Sequence, residues 1–393
     1  MGRFIPLSIP NFEGNEKLYV NDALEQGWVS TGGAYITRLE EQLAQFLHTH
    51  SVAACQSGTS ALHLSLIEAG VSPNDVVLVP PLTFIAAVNP VRYQFAHPIF
   101  IDCDDSFCMD PIKLKEFCET QCVFENGQLF YEQQPVKAIV VVHVFGNLAD
   151  MESIMQTAKK YHLTVIEDAT EALGSYYTDG VYAGSYAGTI GDFGAFSFNG
   201  NKIITTGGGG AVTASDPQTV DHLRYLSTQA KDDPHYYVHH EIGYNYRMTN
   251  LQAALGVAQV ELLPTFVERK NKNYERYAAA FCNFDLCKLI PFRENTYSNK
   301  WFYSLEIDRT RVTASMREII TRLQDGYGVQ TRAIWGLINE QKPYLNEQVY
   351  RLEKAPYFAE RILNIPCSTQ ITAEEISYVA ESVKTVLKEF CHG

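Results

Sequence analysis

The sequence predicts an α/β protein, a large domain on a mostly parallel central sheet with a smaller α+β companion. Three observations carry the prediction. Short apolar runs rich in β-branched residues recur through the first two thirds of the chain without polar alternation, as strands covered on both faces require. Amphipathic helical stretches separate them. After Thr249 the texture changes to one long helical pattern followed by mixed strand and helix signals. A chain of 393 residues is long enough for such a pair, and 46% hydrophobic residues supply its core.

In chain order, residues 52–55 read as a short strand running into Gly58 and a helix over 60–69. Residues 76–79, 98–101, 138–142 and 163–166 are the apolar runs expected at the sheet's centre, with an amphipathic crossover helix over 150–161. Asn199-Gly200 is a tight-turn signal between strand-like residues 194–198 and 203–206, and residues 211–213 read as a strand following four glycines. Residues 250–280 predict a long helix or helix pair interrupted near Pro264. A strand in WFYSLEID and helices over 314–324 and 373–390 complete the pattern. Residues 1–250 are thereby assigned to an N-terminal segment and the large domain, and 251–393 to a linking helix and the small domain.

A net charge of −14 and the lack of any Lys/Arg-rich block argue against nucleic-acid binding. No stretch approaches a membrane span, and the N-terminus lacks the basic start and apolar run of a signal peptide. Nine cysteines, an odd set, are expected as reduced thiols in a cytoplasm. Cys118 and Cys122 could sit one helical turn apart and hold a metal, but no histidine cluster accompanies them, so structural thiols are expected and no metal.

Three segments carry chemistry. In CQSGTSALHL (55–64) a strand leads through Gly58 into a helix whose first-turn N–H groups, with Thr59 and Ser60, would face an anion such as phosphate. The plainer alternative is a Ser57 or Thr59 helix cap, and His63 reads as a packed helix residue. In LTVIEDATEALG (163–174), Glu167 and Asp168 lie where an apolar strand ends, the edge at which α/β sheets gather ligands. Either they cap the next helix or one carboxylate holds a proton on a cofactor ring nitrogen. In SFNGNKIITTGGGG (197–210), Lys202 is the only ionisable acid or base between Phe193 and Ser215. Strand-like residues follow its glycines, whereas dinucleotide and Walker loops feed a helix. Burial penalises an ammonium, and a neutral amine attacks carbonyls, so Lys202 is expected to form a Schiff base with a cofactor aldehyde. The plainer alternative is an ordinary hairpin with a solvated lysine, but phosphate cup, ring acid and lysine together specify pyridoxal phosphate better than any one of them does.

The chain resembles the DegT/DnrJ/EryC1/StrS sugar aminotransferases, which share the fold-type I architecture of aspartate aminotransferase. The marks run nearly end to end: GWVSTGGAYITRLEEQLAQF (27–46), QSGTSALHLSL (56–66), PPLTFIAAVNPV (80–91), EDATEALGS (167–175), GDFGAFSFNGNK (191–202) and GYNYRMTNLQAALGVAQVE (243–261). The wording of IPLSIPNFEGNE, HVFGN, TQAKDD and QTRAIWGLI most resembles the branch that aminates UDP-4-keto-6-deoxy-N-acetylhexosamine toward legionaminic acid or bacillosamine. The resemblance implies that Lys202 binds the cofactor and moves the substrate proton, and that Asp168 pairs with the ring nitrogen. It further implies that Thr59, Ser60 and Ser197 hold the phosphate and that Phe84 stacks on the ring. Glu171 stands where many relatives place Gln or His against the ring hydroxyl. A partner subunit's asparagine completes the family's phosphate site, which makes Asn245 the matching residue and implies a homodimer. L-Glutamate is the implied donor, a nucleotide-linked keto sugar the acceptor, and Trp28, Ser30, Asn199 and Arg332 are substrate neighbours by family position. Many relatives carry GEGG where this chain has Gly207–Gly210; here the glycines suggest backbone clearance beside a ligand. Relatives that dehydrate sugars replace the lysine with histidine; retention of Lys202 favours transamination over that lyase alternative and over a non-enzymatic binding or regulatory protein on the same scaffold.

Overall fold

The computed structural model describes residues 4–233 and 235–391. Helices α1 (Glu16–Glu25) and α2 (Ala34–Leu47) lead into strand β1 (Ala53–Cys55) and helix α3 (Gly58–Glu68). The apolar runs follow as β2 (Val76–Val79), β3 (His97–Ile101), β4 (Gln134–Val142) and β5 (Thr164–Asp168), with α4 (Met151–Tyr161) crossing between the last two. Strands β6 (Phe193–Ser197) and β7 (Gly210–Ala214) come next.

These strands line up in the order β1-β7-β6-β5-β4-β2-β3. β7 runs antiparallel to both β1 and β6, while the pairs from β6 to β3 are parallel. Residues 76–79 and 138–142 are buried throughout, which is why they read as unbroken apolar runs. Parallel direction puts the carboxyl ends Cys55, Val79, Val142, Asp168 and Ser197 on one edge of the sheet. The loops that leave this edge build the site.

The long helix α5 (Asn250–Phe281) begins at a capping box between Thr249 and Gln252. The expected interruption near Pro264 does not occur: α5 is continuous, with Pro264 exposed on its outer face and Leu263, Phe266 and Val267 buried on the inner one. A mid-helix proline costs about 3 kcal/mol, and the packing of this inner face, together with contacts to α1 and α2, outweighs it.

A second sheet follows, built from β8 (Cys287–Leu289), β9 (Tyr303–Ile307), β10 (Arg332–Ala333) and, later, β12 (Ile362–Ile365), in the antiparallel order β8-β9-β12-β10. Between them β11 (Val349–Tyr350) returns to the large sheet and pairs in parallel with β3. Helices α6 (Met316–Tyr327) and α7 (Ala373–Glu389) cover the second sheet's region. The N-terminal segment also reaches it, through an Ile5–Val329 bridge and the Cys367 amide donating to the Leu7 carbonyl.

Residues 203–206, expected as a strand, form no strand. The hairpin is β6–β7, joined by a loop over 198–209. The loop has no ladder of its own: the Thr206 amide turns back to the Phe198 carbonyl, Gln259 accepts from the Thr205 amide and Gln252 donates to the Gly208 carbonyl. Among the described residues no helix is long and apolar enough to cross a membrane. All nine cysteines are free thiols.

Candidate active site

A cleft of about 380 Å³ opens at the carboxyl edge of the large sheet, between it and the second sheet. Ser57, Thr59, Phe84, Asp168, Glu171, Ser197, Asn199, Lys202 and Arg332 all line it. Eight of these come from positions named from the sequence; Ser57 was weighed only as a cap.

The phosphate-cup segment combines both of its alternatives. Ser57 does cap α3, its Oγ accepting from the Ser60 amide at 3.0 Å. The same helix start nevertheless faces the cleft with Gly58 and Thr59, so its positive end is available to an anion. Ser60 is buried behind this surface, 2.8 Å from Ser57 Oγ. His63 is buried on the same helix, between Tyr246 and Gln94.

Strand alternation separates the two acids at the end of β5. Glu167 points away from the cleft, where it meets His143 Nε2 at 2.8 Å and accepts from the amides of Gly188, Ile190 and Gly191. It neither caps a helix nor meets the cleft; it pins the 188–191 loop. Asp168 faces the cleft, accepting from the Thr170 amide at 3.1 Å, and burial pushes its carboxyl above the ordinary carboxylate range.

Lys202 follows the Asn199-Gly200 turn, its amide donating to the Asn199 carbonyl at 3.0 Å. The absence of neighbouring charge in the sequence does not carry into space. Glu171 Oε1 lies 3.5 Å from Nζ, with the two side chains only 12% and 3% exposed. The face of Trp301 covers the amine, 4.0 Å from Nζ to the ring centroid. Trp301 is held by its own Nε1–H donating to the Asn201 carbonyl at 2.7 Å and by stacking on Phe302 at 4.2 Å. The Phe145 amide donates to the other Glu171 oxygen at 2.8 Å. Burial raises the Glu171 carboxyl to about 7, against the opposing pull of Lys202 and of that amide.

Trp301, Phe145, Thr170 and Asn364 also line the cleft and were not anticipated; Trp335 lines it too, in a region that the family resemblance places by the sugar. Phe145 has φ +57 and is followed by Gly146 at φ +87, a backbone bend that aims the Phe145 amide at Glu171. Trp301 opens WFYSLEID but lies two residues before the observed strand Tyr303–Ile307; its place as the first residue of an aromatic run was the one available signal. Asn245, Trp28 and Ser30 lie outside the cleft. Asn245 is exposed and bridges to Thr228, while the Trp28 and Ser30 carbonyls tie down the start of α5 by accepting from Asn250.

The glycines need room for the chain itself and not only for a ligand. A Cβ on Gly210 would fall 2.5 Å from the Phe196 oxygen and 2.6 Å from the Gly58 nitrogen, so β7 lies directly against the start of α3. Gly209, at φ +156, similarly abuts Thr206 and Met248. Gly208 and Gly209 do line the cleft.

The model of the DegT/DnrJ/EryC1/StrS aminotransferase family matches residues 10–384. The GDP-perosamine synthase of Escherichia coli O157:H7 is 34% identical over 384 residues, 97% of this chain and 98% of that protein. The UDP-4-amino-4,6-dideoxy-N-acetyl-beta-L-altrosamine transaminase of Campylobacter jejuni is 27% identical, covering 93% of each. Among solved structures, the PLP form of Spr1654 from Streptococcus pneumoniae superposes with a TM-score of 0.88 at 25% identity, covering 99% of this chain and 100% of that one.

Proposed function

The chain belongs to the DegT/DnrJ/EryC1/StrS aminotransferase family and its cofactor is pyridoxal phosphate; from that premise we propose that it moves the amino group of L-glutamate to C4 of a nucleotide-linked 4-keto-6-deoxy sugar. The acceptor we favour is UDP-2-acetamido-2,6-dideoxy-4-keto-hexose, on a route to a legionaminic acid or bacillosamine-type surface glycan. The observation that carries the reading is the convergence of Lys202, Asp168 and the start of α3 on one cleft. The altrosamine transaminase's name supports a UDP-linked, N-acetylated product, and the perosamine synthase's name makes a GDP-linked sugar the comparison to test.

The residues fit the cofactor chemically. A helix start with Thr59 and Ser197 suits a phosphate, a buried carboxyl at Asp168 suits a protonated ring nitrogen, and the exposed Phe84 ring suits an aromatic face. Bound there, the cofactor supplies an electron-withdrawing ring that carries the charge left when a C–H bond beside nitrogen breaks. Lys202 Nζ takes that proton from the substrate carbon and returns it one atom away, work worth about 10² to 10⁴-fold in rate. Asp168, shielded from water, keeps a proton on the ring nitrogen through both halves of the exchange. Thr59 and Ser197 anchor the phosphate so that Lys202 meets the reacting carbon in one geometry. Asn199 and Arg332 at the cleft wall, with Trp28 and Ser30 of a second copy, contact the sugar nucleotide in this reading. Asn245 of one protomer reaches the phosphate of its partner, in a homodimer working in the cytoplasm.

The test is a panel of UDP- and GDP-linked keto sugars incubated with L-glutamate and scored by product mass and NMR. A C4 amine with matching 2-oxoglutarate supports the assignment; no amine from any member of the panel overturns it.

A further inference from the structure

The environment of Lys202 contains an acceptor for its own proton. We propose that Glu171 is that acceptor: Lys202 Nζ passes a proton to Glu171 Oε1, which turns a buried ammonium and carboxylate into a neutral amine and a carboxylic acid. One N–H bond breaks, one O–H bond forms, and no electron leaves the pair. The proposal rests on the aminotransferase reading, because a lysine that must attack a carbonyl and take protons from carbon has to be neutral first.

Five observations support it. Oε1 lies 3.5 Å from Nζ, and about 0.5 Å of side-chain adjustment closes that gap to hydrogen-bond length. The carboxyl cannot swing away easily, since the Phe145 amide holds Oε2 at 2.8 Å. That amide is itself fixed, because the Phe145 carbonyl accepts from the Trp301 amide at 3.0 Å. Trp301 in turn lays its ring over the amine, acting as a positioning residue that confines Nζ to the carboxylate's side of the cleft. Both partners are removed from water, so desolvation penalises the charged pair and shifts the balance toward amine and acid relative to the same pair in solvent.

Of the other charged groups near the pair, Asp168 feels the charge of Lys202 but, unlike Glu171, makes no ion pair with it among the described residues. Asp168 is close enough to raise the Glu171 carboxyl, which favours the protonated acid. Lys270 of α5 lies beyond Trp301, donating to the Trp301 and Cys367 carbonyls, and can accept nothing while it remains an ammonium. His143 is committed to Glu167 and the Ala149 amide. The Glu171 carboxyl titrates at about 7, well matched to accept a proton at neutral pH.

Internal transfer leaves a signature in the pH profile. While the pair holds one shared proton, the fraction of neutral amine is set by the pair and does not change with pH. A lysine that can lose its proton only to water instead gains neutral amine about tenfold per pH unit below its pKa. The experiment is pulse labelling of the full chain, freed of cofactor, with acetic anhydride from pH 5 to 10. Lys202 modification is read by peptide mass spectrometry, for the wild type and Glu171→Gln. The expected wild-type profile rises, runs flat across a span near neutrality and rises again, while the variant rises once without a plateau. A wild-type profile with no plateau overturns the proposal, whatever the variant does; so does a plateau that persists in a folded Glu171→Gln protein. The outcome is separable from the functional reading. Sugar amination without a plateau removes only the proton transfer, and a plateau without amination removes only the substrate assignment.

Discussion

Glu171→Gln tests whether the buried carboxyl is under electrostatic strain, through stability alone. The wild-type carboxyl titrates at about 7 in the folded protein against an ordinary 4.5, and burial is the main cause. Between those values the folded protein keeps the proton while the unfolded chain releases it. Stability therefore falls as pH rises, and the contribution present below 4.5 is lost by the time pH passes 7. At about 1.4 kcal/mol per pH unit, the loss comes to about 3 kcal/mol. Glutamine keeps the shape and the acceptor for the Phe145 amide but cannot ionise. The assay is urea denaturation of the cofactor-free wild type and variant from pH 4.5 to 8, with the difference in unfolding free energy plotted against pH so that titrations common to both cancel. The wild type should lose about 3 kcal/mol relative to the variant across that range. A difference that is flat within about 0.5 kcal/mol would show that Glu171 ionises freely.

Lys202→Ala should abolish turnover while leaving the fold intact, checked by product mass and by circular dichroism; full amination by that variant under catalytic cofactor would end its assignment. Asp168→Asn removes a charge-assisted hydrogen bond worth about 1.5 to 3 kcal/mol, so cofactor affinity measured by fluorescence titration should fall about 10- to 100-fold. Gly210→Ala places a methyl 2.5 Å from the Phe196 oxygen and from Ser57. That clash should cost about 1 to 3 kcal/mol in urea denaturation and weaken phosphate binding by displacing the start of α3. Pro264→Ala should stabilise the protein by up to about 3 kcal/mol, since α5 passes through that position unbroken.

What could be read from the sequence was what lies along a strand and at its end. The parallel strands were legible because burial on both faces leaves no polar alternation, and the strand end at Asp168 then placed one site residue on the ligand-gathering edge; Ser197 came from the family resemblance alone. Alternation also limits that reading. Glu167 and Asp168 looked equivalent as neighbours, yet a period of two sends one into the 188–191 loop and the other into the cleft. The misread stretch, 203–206, has strand composition, but the Thr206 amide turns back to the Phe198 carbonyl and the Thr205 amide goes to Gln259 of α5, fifty-four residues later, which no local pattern reports.

For Lys202 the sequence pattern gave only part of the environment. Its neighbours in sequence carry no charge, and from that its reactivity was ascribed to desolvation. In the fold a carboxylate from the loop after β5 and an indole from the segment before β9 converge on it. Charge isolation along the chain is thus a poor guide to charge isolation in space at the carboxyl edge of a sheet, because that edge gathers loops distant in sequence. The consequence for the chemistry is specific. An isolated buried lysine would be made reactive by desolvation alone, whereas this one is held beside a group able to take its proton and beneath a ring able to stabilise its charge. Reactivity then depends on Glu171 and Trp301 as well as on burial. A substitution at either should change the pH dependence of Lys202 even where the lysine's own exposure is unchanged.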